Sequence, residues 1–244
     1  LTPSDLKKLK SVPPIVFSEA CYGGHIFGKE EADSVALTLM GLGNYALIAS
    51  TTVAYGSVTT PMIGADLLGY LVMKNLKSGL AIGPSFTKAK VEFVREMNRR
   101  QGYLDGEDQK TLISFVLFGD PLVAYDHHEA VGKTYNRETL RPVVKTLCDR
   151  FEVEAESFAA APKMVSQAKE MVREYLPGIE YAEVRINQQK IRQEKTLKPN
   201  GNTYPDRVVV SFSKQINLAE HTHRQFARVT LDKQGKVVKL AVSR

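Results

Sequence analysis

Eleven residues constrain this chain more than any others: Pro14-Ile15-Val16-Phe17-Ser18-Glu19-Ala20-Cys21-Tyr22-Gly23-Gly24, an apolar run that breaks on polar residues and closes on paired glycines. A short run that is apolar on both faces fits a strand buried in a parallel sheet. Cys21 then falls at the C-terminal tip of that strand, where open α/β sheets gather their ligands. A thiolate presented on such a turn is a nucleophile, and backbone N–H groups of the same turn can face a developing oxyanion. Gly23 and Gly24 would keep the space above the sulfur free, and Glu19 opens onto the same mouth. The bland alternative is a small buried hydrophobe in a strand-to-helix turn.

The following residues extend this frame. Glu30-Glu31-Ala32-Asp33-Ser34 opens a helix whose apolar positions Ala32, Val35, Ala36, Leu39 and Met40 keep the helical period, with acids at its positive end. Gly41 and Gly43 stop it, and Asn44-Tyr45-Ala46-Leu47-Ile48-Ala49 reads as a second buried parallel strand. Strand, helix and strand make one right-handed crossover, so Ser50-Thr51-Thr52-Val53-Ala54-Tyr55 leaves its tip beside Cys21.

Glu19-Ala20-Cys21-Tyr22-Gly23 resembles the Gln-Ala-Cys-x-Gly signature of caspases, and its Glu-Ala-Cys form is similar to the legumains of the same superfamily. Tyr45-Ala46-Leu47-Ile48-Ala49-Ser50-Thr51-Thr52 and the closing Leu117-Phe118-Gly119-Asp120-Pro121 resemble the gingipain branch. The likeness covers about residues 12 to 126. It implies the C-terminal part of a caspase-fold cysteine endopeptidase in which Cys21 attacks the peptide carbonyl and N–H groups near Cys21 and Gly23 hold the oxyanion. It also implies that Ser50, Thr51 and Thr52 line the primary specificity pocket; the alternative is a hydroxyl-rich turn capping the next helix. Tyr55 could stack on a substrate side chain or simply cover the loop. Glu19 stands where caspases have glutamine, and a carboxylate there favours cleavage after Arg or Lys. Glu19 could instead pair with a residue on strands outside this chain, and Asp66, Asp105 or Asp120 could line the pocket in its place.

The histidines depart from the family pattern, which sets the base roughly 50 residues before the cysteine. The five histidines are His25, His127, His128, His221 and His223, and none precedes Cys21. The expectation is a separate N-terminal polypeptide that supplies the catalytic histidine, released by cleavage before Leu1. The rival is a catalytically inactive caspase-like protein that binds peptides or regulates. The resemblance favours an extracytoplasmic location, requires no cofactor, and admits structural calcium. The acid run Leu104-Asp105-Gly106-Glu107-Asp108 nevertheless lacks the regular spacing of a calcium loop.

Hydrophobic residues make up 43% of the 244, enough for a real core, and no apolar run approaches the roughly 20 residues of a membrane span. Two cysteines, Cys21 and Cys148, make neither a disulfide framework nor a zinc site; Cys148 reads as core in a helix over 141–148. Residues 1–150 carry 17 basic and 16 acidic side chains, and residues 151–244 carry 16 and 11. The excess in the second part is interleaved with acids at strand period, as in Glu183-Val184-Arg185-Ile186-Asn187, which argues for a solvated sheet face and against nucleic acid.

Helices are expected over 62–76, 85–100 and 109–118, and a connector over 127–157, where the neighbouring His127 and His128 read as solvated loop. Beyond it, a helix from Ala161 to Leu176 precedes period-2 segments at 181–191, 207–213, 225–231 and 236–242, the last two joined by an Asp232-Lys233-Gln234-Gly235 turn. This second module resembles a PepSY-type domain. The expected fold class is therefore α/β: an incomplete caspase-like sheet with flanking helices over 1–126, then a small α+β domain over 158–244 with one helix on an antiparallel sheet.

Overall fold

The computed structural model describes residues 2–58, 60–125, 150–154, 161–191, 207–218 and 221–243. They divide into two compact units. Residues up to 125, apart from a short insert at 57–61, form the first, and the insert with residues from 150 onward forms the second. The expected helix over 141–148, Cys148, His127 and His128 lie outside the described residues.

The first unit is built on a three-stranded sheet in the order β1-β2-β4, from β1 (Ile15–Ser18), β2 (Ala46–Ser50) and β4 (Phe115–Gly119). Strands β1 and β2 are parallel, pairing Ile15 with Ala46 through Ser18 with Ala49. Every residue of β2 is buried, as a central strand flanked by strands and covered on both faces must be. On one face Leu47 and Ala49 pack with Val16 and Phe118 against Leu6, Ala36 and Leu39 of α1 (Pro3–Leu6) and α2 (Val35–Gly41). Phe17 stacks on Phe115 at 5.4 Å between ring centroids and lies against Gly69 of α3 (Gly64–Lys77). The first unit is thus an α/β layer structure, with β1 as a sheet edge whose four residues are all half-buried.

Three expectations for this unit need correction. The helix predicted over 109–118 is instead α5 (Gly106–Ser114) followed at once by β4, antiparallel to β2 from Ser50 opposite Phe115 to Ala46 opposite Gly119. The run Phe115-Val116-Leu117-Phe118 is aromatic and β-branched, and ladder bonds to a buried strand outweigh continuation of a helix. Helix α4 (Ile82–Gln101) starts three residues before the expected Ser85, because Pro84 sits in its first turn, where a missing N–H costs nothing. The helix expected to open at Glu30 is a 3₁₀ turn over Glu31–Asp33, after which Ser34 caps α2 by accepting from Leu37 N–H at 3.4 Å. Lys90 of α4 donates to Phe115 O at 3.1 Å with its ammonium 4.4 Å from the Phe86 ring centre, and burial holds it below the usual lysine range.

The second unit contains β5 (Arg150–Glu154), β6 (Glu183–Ile191), β7 (Arg207–Leu218), β8 (His221–Leu231) and β9 (Val237–Ser243), antiparallel in the order β9-β8-β7-β6-β5. Helix α6 (Ala161–Val172) lays Met164, Ala168 and Val172 on Val208, Val210, Phe212, Ala227, Val229 and Leu231. Val58 of the insert packs against the same core. Strand β5 falls inside the stretch read as connector. Strands β7 and β8 run past their expected ends to pair Leu218 with His221, since an antiparallel ladder needs only main-chain groups to continue through polar residues such as Lys214 and Gln215. Asp232 organises the last hairpin by accepting from the N–H groups of Gln234 and Lys236 at 3.0 and 2.8 Å.

Among the described residues no helix is long and apolar enough to cross a membrane.

Candidate active site

Two parallel neighbours end on the same side of a sheet, so the segments leaving β1 and β2 start side by side, with Ser18 opposite Ala49. From β1 the chain makes a tight turn: Gly23 N–H donates to Ala20 O at 3.3 Å and His25 N–H to Tyr22 O at 3.0 Å. This turn is laced to the β2 exit. Tyr22 N–H donates to Thr52 O and Gly24 N–H to Ser50 O, each at 2.8 Å. Tyr22 takes a left-handed backbone with φ 59°, an unfavourable state for a side chain with a Cβ, and these bonds hold it there.

Cys21 is half-buried, and its sulfur lies against the main chain of Ala54, accepting from the N–H at 3.3 Å and donating to the carbonyl at 3.5 Å. Close packing also requires glycine at both paired positions. Both are buried, and a Cβ on Gly23 would stand 2.6 Å from Ser18 Oγ, while one on Gly24 would stand 3.0 Å from Ala49 O and from the Phe118 ring. They let the nucleophile turn press onto the strand ends beneath it.

Ser50 is fully buried, and its hydroxyl joins Thr52 O at 3.0 Å and Ser114 Oγ at 3.1 Å. Thr51 donates its N–H and its hydroxyl to Ser114 O at 2.9 and 3.2 Å, so the last residue of α5 anchors the start of the β2 exit. Thr51 and Thr52 are half-buried. Tyr55, the first residue of β3 (Tyr55–Ser57), is buried, with the Lys110 ammonium of α5 5.5 Å from its ring centre. Glu19 is half-buried and reaches α3, where a Cβ on Gly69 would lie 3.4 Å from its Oε1. Glu19, Cys21 and Gly23 therefore follow β1, Ser50 ends β2, Thr51 and Thr52 follow it, and Tyr55 opens β3.

The remaining acids are placed differently. Asp105 and Asp108 are buried and close a capping box at the start of α5, and Asp108 also accepts from Gln101. Asp120 Oδ1 accepts from Leu122 N–H at 2.8 Å, and Asp66 stands in the first turn of α3. In the 104–108 run the two aspartates are committed to the cap. Among the described residues no group of three or more His, Cys, Asp or Glu could hold a metal ion. His25 is the one histidine among the described residues of the first unit; its ring meets Tyr22 edge-on at 5.8 Å and its carbonyl accepts from Ser34 Oγ at 3.0 Å. His221 and His223 lie on β8.

Sequence reasoning missed Ser114, Lys110 and Ala54. Ser114 and Lys110 sat in a predicted helix with no local sign of contact with β2, and Ala54 acts through its main chain, which no side-chain motif reveals.

A family model described as Peptidase family C25 matches residues 1–125. No curated protein and no solved structure matches the chain.

Proposed function

The chain belongs to peptidase family C25, a family of cysteine peptidases, and on that premise we propose that Cys21 is the nucleophile of an endopeptidase that cleaves after Arg or Lys. The observation that carries this reading is the meeting of Cys21 with the β2 exit at the ends of two parallel strands. The ionised sulfur attacks the scissile carbonyl carbon, and the oxyanion takes N–H donors near Cys21 and Gly23, the latter turning from Ala20 O. An imidazole protonates the leaving amine, and water then hydrolyses the thioester. Ser50, Thr51, Thr52 and Tyr55 form and brace the wall of the primary pocket, and the Glu19 carboxylate selects the cation.

The imidazole is brought by a further strand that adds beside β1. Support lies in β1, an apolar, half-buried strand that is an edge strand among the described residues, a position that favours addition of a further strand.

The test is hydrolysis of fluorogenic peptide amides by the full-length protein. Arginyl and lysyl amides should be cut, and Glu19→Gln should lower their kcat/KM about 100-fold, the value of one desolvated ion pair. Equal cleavage of neutral amides would remove the specificity assignment. Absence of turnover with selective peptide binding would favour a peptide-binding or regulatory protein on the same scaffold.

A further inference from the structure

The Cys21 sulfur engages both polar groups of a single residue's main chain. Ala54 N–H donates to Sγ at 3.3 Å, and the thiol donates to Ala54 O at 3.5 Å. The contact joins positions 33 apart in sequence, and Val53, Ala54 and Tyr55 are all buried, so the segment presenting these groups is fixed in place. Tyr22 N–H on Thr52 O holds the facing turn in register.

The two groups act in opposite senses on the sulfur. An N–H donor favours the thiolate, whereas a carbonyl can bond the sulfur only while it keeps its proton and opposes a negative charge beside it. We propose that the Ala54 main chain is a positioning element that latches Cys21 as a neutral thiol at rest. An extended polypeptide pairing with the β2 exit would take up the same N–H and carbonyl, so substrate binding would free the sulfur at the moment its carbonyl arrives. This release rests on the peptidase reading; the latch itself does not.

Both readouts of the test avoid turnover, so a failure of the latch and a failure of the peptidase reading are distinguishable. They use the full chain with Cys148→Ser, which leaves Cys21 as its one thiol. The infrared S–H stretch of the folded protein should lie at lower wavenumber than in the urea-unfolded chain, as for a thiol donating to a carbonyl. Ala54→Gly keeps both groups but frees the backbone that fixes them. It should raise the rate of iodoacetamide alkylation about five-fold near neutral pH, the worth of one ordinary hydrogen bond, and move the alkylation profile to lower pH. An S–H band at the unfolded position, or an Ala54→Gly profile that overlays the parent, overturns the latch. Should Ala54→Gly fail to fold, the band of the parent protein decides.

Discussion

The two sheets differ in how they end. In the first unit β1 and β2 run parallel, so both C-terminal ends open on one side and the segments that follow are knitted together by Tyr22 on Thr52, Gly24 on Ser50 and Cys21 on Ala54. In the second unit β5 to β9 alternate in direction, so successive strands end on opposite sides, and no such lacing of neighbouring exits is seen among the described residues. Parallel pairing makes a site because it gathers loops; antiparallel pairing makes a self-contained slab because each strand satisfies the next. Chemistry should accordingly be fragile at the first sheet's ends, and stability should reside in the second sheet's middle.

The contrast is sharpest at the nucleophile. Cys21→Ala should lower peptide hydrolysis by about 10⁴-fold or more while thermal unfolding changes little, since the side chain is small and half-buried. A variant that retains most of its turnover would break the assignment of the site to these strand ends. In the second sheet, Phe212 is fully buried under α6, and Phe212→Ala should cost about 3–5 kcal/mol in urea unfolding. A loss below about 1 kcal/mol would show that this slab is not packed as a core.

A smaller effect tests how tightly the nucleophile turn sits on β1. Gly23→Ala sets a Cβ 2.6 Å from Ser18 Oγ and should cost about 1–3 kcal/mol. Adding Ser18→Ala should recover part of it, because the two positions share the clash. Additive losses in the double variant would place the strain elsewhere.

The smallest effect belongs to the last turns of α4. Hydrogen bonds from Arg99 and then Arg100 hold the Glu96 carboxyl down from 4.5 to about 2. Its folded value lies below its unfolded one, so its contribution is complete above about pH 4.5 and fades as pH falls toward 2. Glu96→Gln should therefore cost about 0.5 kcal/mol at neutral pH, as exposed helix ion pairs do, and almost nothing near pH 2. A penalty independent of pH would mean that packing, not charge, is lost.

Much of this protein was legible in its residues taken locally. Apolar run, polar break and paired glycines marked the strand and turn around Cys21; period-3.6 apolar spacing marked α3; the Asp232 to Gly235 turn marked the last hairpin. The Glu-Ala-Cys motif and its companions also marked the gingipain-like family to which residues 1–125 correspond. These signals succeed because turn geometry and amphipathic period depend on near neighbours in sequence. Tertiary structure alone decided that Phe115–Gly119 is a strand, that Ser114 ties down the β2 exit, that the glycines serve close packing, and that Ala54 holds the sulfur. Each of these depends on main-chain groups tens of residues apart, and the free energy of such contacts exists only once the sheet has brought them together.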